Sequence, residues 1–162
     1  MNLKIRRARR SRPTNTVKIV RATIKHLALI IPLFDAYRQF YKQRSDAAGA
    51  RRFLQQRLKR KESVVFLAMD GRKAVGFVQL YPSFDSVTMR RVWILYDLFV
   101  VPAARRSGMA KLLMEHARQF ALKTKAKRLI LETAIDNRPA QKLYEQLGWR
   151  RDTAFYRYYL DL

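Results

Sequence analysis

A mixed α/β fold is predicted for this chain: a mostly antiparallel sheet of about seven strands flanked by four helices, in a single domain. Three observations predict it. The hydrophobic period switches along the chain between helical spacing and strand alternation. Asp70-Gly71, between two strand candidates, is a hairpin turn and demands antiparallel pairing. Later, strand candidates alternate with helices, which demands a parallel crossover. The length of 162 residues fits one domain.

The elements follow in order. Val17 to Ala22 alternates apolar and basic residues, as a strand with one buried face does. From His26 to Lys42, Leu27, Ile30, Ile31, Phe34, Tyr37, Phe40 and Tyr41 keep a helical rhythm, with the aromatics expected to face the core. Pro32 is placed to break or kink that helix. A second helix runs from Asp46, a candidate N-cap, to Lys61, with Phe53, Leu54 and Leu58 on one side. Val64 to Met69 is a buried strand, and Ala74 to Tyr81 returns across the turn. Pro82 to Thr88 reads as a loop, and Arg90 to Val100 as the longest strand, dense in β-branched and aromatic residues. A helix from Gly108 to Lys123 precedes a buried strand, Arg128 to Glu132. Pro139 suits a first helical turn and Gly148 the residue after a last one. Trp149 to Asp152 and Phe155 to Tyr159 are expected to close the sheet, giving the order β-α-α-β-β-β-α-β-α-β-β.

Composition excludes several classes of function. Apolar residues make up 49% and aromatics 12%, enough for a sizeable core. There is no cysteine, so disulfides, thiolate metal clusters and a cysteine nucleophile are ruled out, as suits a cytoplasmic chain. His26 and His116 stand alone in sequence, and no metal site is expected. The apolar run from Leu27 to Phe34 is too short to cross a membrane, and the N-terminus lacks the apolar core of a secretory signal. Lysine and arginine number 35 against 12 acids, a net charge of +23. That excess draws polyanions: nucleic acid, anionic lipid, or a phosphate-rich nucleotide cofactor. Residues 1–16 hold Lys4, Arg6, Arg7, Arg9, Arg10 and Arg12 without one acid, and such blocks repel themselves. We expect a disordered basic arm there, with residues 17–162 as the folded domain.

The most informative stretch joins the longest strand to the following helix. After Val100-Val101-Pro102, Arg105-x-x-Gly108-x-Ala110 opens the helix, so consecutive backbone N–H groups at a helix start make an anion site. Gly108 allows close approach, Ala110 leaves room, and Arg105 and Arg106 add charge. Neither common nucleotide loop, GxGxxG or GxxxxGK[ST], is present. Alone, this stretch reads more readily as a solvated turn that starts a core helix. Downstream, however, stands Asn137-x-x-Ala140-x-x-x-Tyr144-x-x-x-Gly148-Trp149.

Together, from about Asp97 to Trp149, these segments resemble the acetyl-CoA-binding core of the GNAT N-acetyltransferase family. Arg105-x-x-Gly108-x-Ala110 matches its [Q/R]-x-x-G-x-[G/A] pyrophosphate loop, and the asparagine–tyrosine unit resembles its second signature. The resemblance implies that the strand before the loop splays at a bulge and that pantetheine lies along it. Leu98 and Val100 would then offer backbone groups. Arg105, Arg106, Ser107, Gly108, Met109, Ala110 and Lys111 would surround the pyrophosphate, with Ala140 beside the cofactor. Asn137 would contact pantetheine or hold the adjacent loop, and Tyr144 would sit at the position of the general acid. Homodimers that pair through the sheet edge and C-terminal strands are frequent in the family, and FYRYYLDL could pair so.

The expected activity is acetyl-CoA-dependent N-acetylation of a primary amine, small molecule or peptide, by direct attack in a ternary complex. Related enzymes often carry a glutamate where Tyr96 stands. Asp97 is then the leading candidate base, with Glu132 and Asp136 as alternatives. Each could equally hold a turn or pair with a surface arginine. A competing expectation is nucleic-acid binding through the basic arm and surface on a degenerate enzyme fold.

Overall fold

The computed structural model describes residues 17–162, so the basic arm expected for residues 1–16 lies outside the described residues. Strand β1 (Lys18–Arg21) leads through a short 3₁₀ turn into α1 (Leu27–Phe40) and then α2 (Ala47–Lys59). There follow β2 (Val64–Asp70), β3 (Lys73–Asp85), β4 (Arg90–Val100), α3 (Met109–Lys123), β5 (Leu129–Leu131) and α4 (Arg138–Gln146). The sheet order is β1-β2-β3-β4-β5. Pairing is antiparallel throughout except for β4 with β5, which is parallel.

Local chemistry explains most boundaries. The Asp46 side chain accepts from the N–H of Gly49 at 2.7 Å and starts α2 as expected. Pro32 lies inside α1 without ending it. It costs one backbone bond on the exposed side, while Ile30, Ile31, Leu33 and Phe34 continue the buried stripe. The loop expected from Pro82 to Thr88 is mostly strand, since β3 runs to Asp85 and Pro82 pairs with Trp93. Pairing with β2 stops at Leu80, so β3 has an open edge there. By alternation the missing N–H of Pro82 faces that edge, where it removes no ladder bond.

Among the described residues, the sheet has five strands rather than about seven. Trp149 to Asp152 and Phe155 to Tyr159 form no ladder. Strand propensity requires a partner edge, and β5 is only three residues long. The tail meets this region through side chains instead: Arg157 pairs with Glu132, and the Tyr159 hydroxyl donates to Glu132 at 3.4 Å.

Apolar residues fill both faces of the sheet. Ile30, Leu54, Leu67, Phe77 and Phe99 pack on the α1–α2 side, and Val78, Leu80, Leu95, Leu113 and Met114 on the α3 side. Gly76 is required where β3 meets β4, because a Cβ there would lie 2.7 Å from the Phe99 carbonyl oxygen. Gly76→Ala should therefore cost about 2 kcal/mol by forcing β4 aside, measurable as a lowered denaturation midpoint. No helix among the described residues is long and apolar enough to cross a membrane.

Candidate active site

The site begins with one extra residue in β4. Gln79 pairs with Asp97 and Leu80 with Leu95, which leaves Tyr96 without a partner on β3. Such a bulge bends its strand and redirects the residues beyond it. Pairing of β4 with β5 covers only Trp93 to Leu95 and stops at this point. Beyond the bulge, β4 runs on to Val100 with an open edge. The Val101 N–H donates to Val75, so by alternation Leu98 and Val100 turn their main-chain groups outward. This is the splayed edge that the sequence resemblance implies.

A cleft of about 420 Å³ lies along that edge, with Tyr96, Leu98 and Val100 on one wall and Asn137, Ala140 and Tyr144 on the other. At its far end the chain turns through Pro102–Ala104 into α3. Arg106 and Gly108 adopt positive φ, 59° and 85°, and Gly108 is the N-cap of α3. The first backbone bond of α3 runs from Leu112 back to Gly108. Among the described residues, the consecutive N–H groups from Arg106 to Lys111 make no well-formed backbone hydrogen bond, only looser turns running through Arg105 to Gly108. A Cβ on Gly108 would find no atom within 4 Å, so the space beside this residue is open. Unpaired donors and the positive end of the helix dipole favour an anion there.

Arg105 behaves differently from its neighbours. Its Nε donates to the Val100 carbonyl at 3.0 Å, and its guanidinium rests near the rings of Phe40 and Phe99. It braces the loop against β4 rather than reaching outward. The Val100 carbonyl is thus already engaged; Arg105 is itself exposed, as are Arg106, Ser107 and Lys111. The Ser107 hydroxyl donates to the Ala104 carbonyl.

Across the cleft, Asn137 caps α4 by accepting from the Ala140 N–H at 3.4 Å. Gln141 holds the preceding loop through the Ala134 and Ile135 carbonyls. Tyr144 points into the cleft and packs near Trp149. Burial raises its phenol pKa, the nearby Tyr41 hydroxyl adds to this, and a hydrogen bond from Thr133 pulls part of it back.

Asp97 sits on the opposite face of the bulge, only 6% exposed. Burial pushes its carboxyl up to about 6, against the donor hydroxyl of Tyr37, which lowers it. That hydroxyl also donates to the Tyr96 carbonyl at 3.3 Å. Glu132 lines the mouth of the cleft and is engaged by Arg157 and Tyr159, and Asp136 is exposed on a loop. Among the described residues, no group of three His, Cys, Asp or Glu side chains comes together.

Sequence reasoning missed the aromatic surroundings. Tyr37 is half-buried against Asp97, and Phe40 and Tyr41, expected in the core, are exposed and line the cleft. Tyr81 and Phe53 come near Asp97 from β3 and α2. The available signal was an aromatic surplus on α1 beyond what one buried stripe needs.

Comparisons with known proteins bear on the family and the fold. The family model described as Acetyltransferase (GNAT) family matches residues 30–149. A curated relative from Bacillus subtilis strain 168, the uncharacterized N-acetyltransferase YhfO, is 46% identical over 146 residues, covering 90% of this chain and 98% of that protein. A crystal structure of a probable acetyltransferase superposes with a TM-score of 0.85 at 47% identity, covering 90% of this chain and 97% of the other. The fold is shared with an aminoglycoside N-acetyltransferase, AAC(6')-Iy, solved in complex with CoA, at 22% identity and a TM-score of 0.74 over 88% of this chain and 94% of that one.

Proposed function

Since the chain belongs to the GNAT acetyltransferase family, we propose that it transfers acetyl from acetyl-CoA directly to a primary amine, with both substrates bound together. The observation that carries this reading is the run of unpaired N–H groups from Arg106 to Lys111 at the end of an open strand edge. Diphosphate oxygens would take those donors, over Gly108 and beside Met109 and Ala110. The pantetheine amides would extend β4 through the outward groups of Leu98 and the Val100 N–H. Asn137 and Ala140 would shape the far wall.

Acetyl-CoA supplies the acetyl group as a thioester. Asp97 accepts a proton from the acceptor ammonium, leaving a nitrogen lone pair that bonds to the acetyl carbon as the carbon–sulfur bond breaks. The departing thiolate takes the phenolic proton of Tyr144, and the second proton on the acylated nitrogen returns through water to that phenolate, leaving the neutral amide and free thiol. A raised pKa suits this acid, because the phenol remains protonated at neutral pH. A carboxyl near 6 suits the base, because it is mostly ionised at neutral pH yet binds a proton readily. Direct transfer is favoured because the chain has no cysteine and Ser107 spends its hydroxyl on Ala104.

The test is release of free thiol from acetyl-CoA in the presence of amines. Amine-dependent release by the wild type is expected. Gly108→Asn should lose about 10²-fold in acetyl-CoA affinity, because it fills the cradle. Asparagine tolerates positive φ, so the fold should survive this substitution. Thiol release unaffected by Gly108→Asn would contradict the reading.

A further inference from the structure

Tyr96 lines a second cavity as well as the cleft along β4. This cavity, about 380 Å³, lies on the α1–α2 face of the bulge and is formed by Phe34, Phe53, Tyr81, Tyr96 and Asp97. Its walls are two aromatic pairs. Phe34 and Phe53 stack at 5.6 Å with 16° between planes, and Tyr81 meets Tyr96 edge-on at 5.6 Å and 82°. Among the described residues, Asp97 is the one carboxylate in the lining, and no lysine or arginine contributes. Arg57 stacks on the Phe53 ring, but Glu62 pairs with it at 2.6 Å. In a chain of net charge +23, this cavity is therefore set apart by its chemistry.

Each alternative acceptor meets a specific penalty. A free amino acid would bring its carboxylate against Asp97, with no cation among the described lining residues to receive it. A polyamine would bring ammonium groups beyond the one that Asp97 can neutralise, into a strongly basic protein. An amino sugar would set its hydroxyls against Phe34 and Phe53, which offer no hydrogen bonds. An aromatic ring or alkyl chain meets none of these costs, and an ammonium beside tyrosine and phenylalanine rings gains cation–π attraction.

We propose that the acceptor is a primary amine on an aromatic or alkyl body with no second charge, packed between the two aromatic pairs with its nitrogen at Asp97. This inference rests on the acetyl-transfer reading above and adds the substrate class to it. Tyr81 and Phe53 become specificity-determining residues.

The experiment compares kcat/KM in the thiol-release assay for phenethylamine, hexylamine, phenylalanine, glucosamine and spermidine, using the full chain. Phenethylamine and phenylalanine form a matched pair that differs by one carboxylate. Phenethylamine and hexylamine are expected to exceed the other three by at least about tenfold. Phe53→Ala, at a partly exposed helix position, should raise KM for phenethylamine about tenfold while KM for acetyl-CoA stays constant. Faster turnover of phenylalanine, glucosamine or spermidine overturns the inference, as does CoA binding without turnover of phenethylamine or hexylamine. An unchanged KM for phenethylamine in Phe53→Ala also overturns it. Failure of the underlying reading shows separately, as no calorimetric binding of CoA, and removes this inference with it.

Discussion

Tyr144→Phe is expected to lower kcat by about 10²- to 10⁴-fold, while KM for acetyl-CoA changes less than about threefold. The substitution removes one hydroxyl and keeps the ring, so the packing near Trp149 at 6.2 Å survives. Other phenols line the same cleft, but the Tyr37 hydroxyl is already engaged, donating to the Tyr96 carbonyl at 3.3 Å and lying against the Asp97 carboxyl. Tyr144 faces the open edge from α4, where the proposed reaction would need a proton for the departing thiolate. Steady-state kinetics with a saturating amine decides the matter. Unchanged kcat would return Tyr144 to the role of a packing aromatic.

Asp97→Asn is expected to move activity and stability in opposite directions. The carboxyl, near 3.8 in an open chain, is held at about 6 in the fold by burial. Ionising it therefore costs the folded state, on the order of 3 kcal/mol when complete. Because the folded pKa is the higher one, its stabilising contribution is full below about pH 4 and is lost as pH rises through about 6. Asparagine removes that loss. The variant should melt above the wild type at pH 7.5, and the two should converge near pH 4. Its kcat should fall about 10²- to 10⁴-fold, and wild-type kcat/KM should rise with pH through about 6 as the base ionises. A carboxylate kept for structure alone would show lower stability in the variant with turnover preserved.

The turn that opens α3 and the cap of α4 were legible because each is local. Arg105, Gly108 and Ala110 lie within one turn, and Asn137, Pro139 and Gly148 mark the ends of a single helix. The bulge at Tyr96 left no such mark, since it exists only as a register shift between β3 and β4. The inward turn of Arg105 was hidden for a similar reason: its partners Phe40 and Phe99 come from α1 and β4. Asp97 was found as a candidate base, but its companions Tyr37, Tyr81 and Phe53 reach it from three separate elements. The C-terminal segments carry strand composition without a ladder, because composition reports propensity and a ladder needs a neighbour.

Isothermal titration of the protein with CoA and with pantetheine, which keeps the thiol arm but lacks the diphosphate, isolates the amides from Arg106 to Lys111. CoA should bind at least about 10²-fold more tightly than pantetheine, because those unpaired donors meet only the former. Equal affinity for the two, or no binding of CoA, would contradict it.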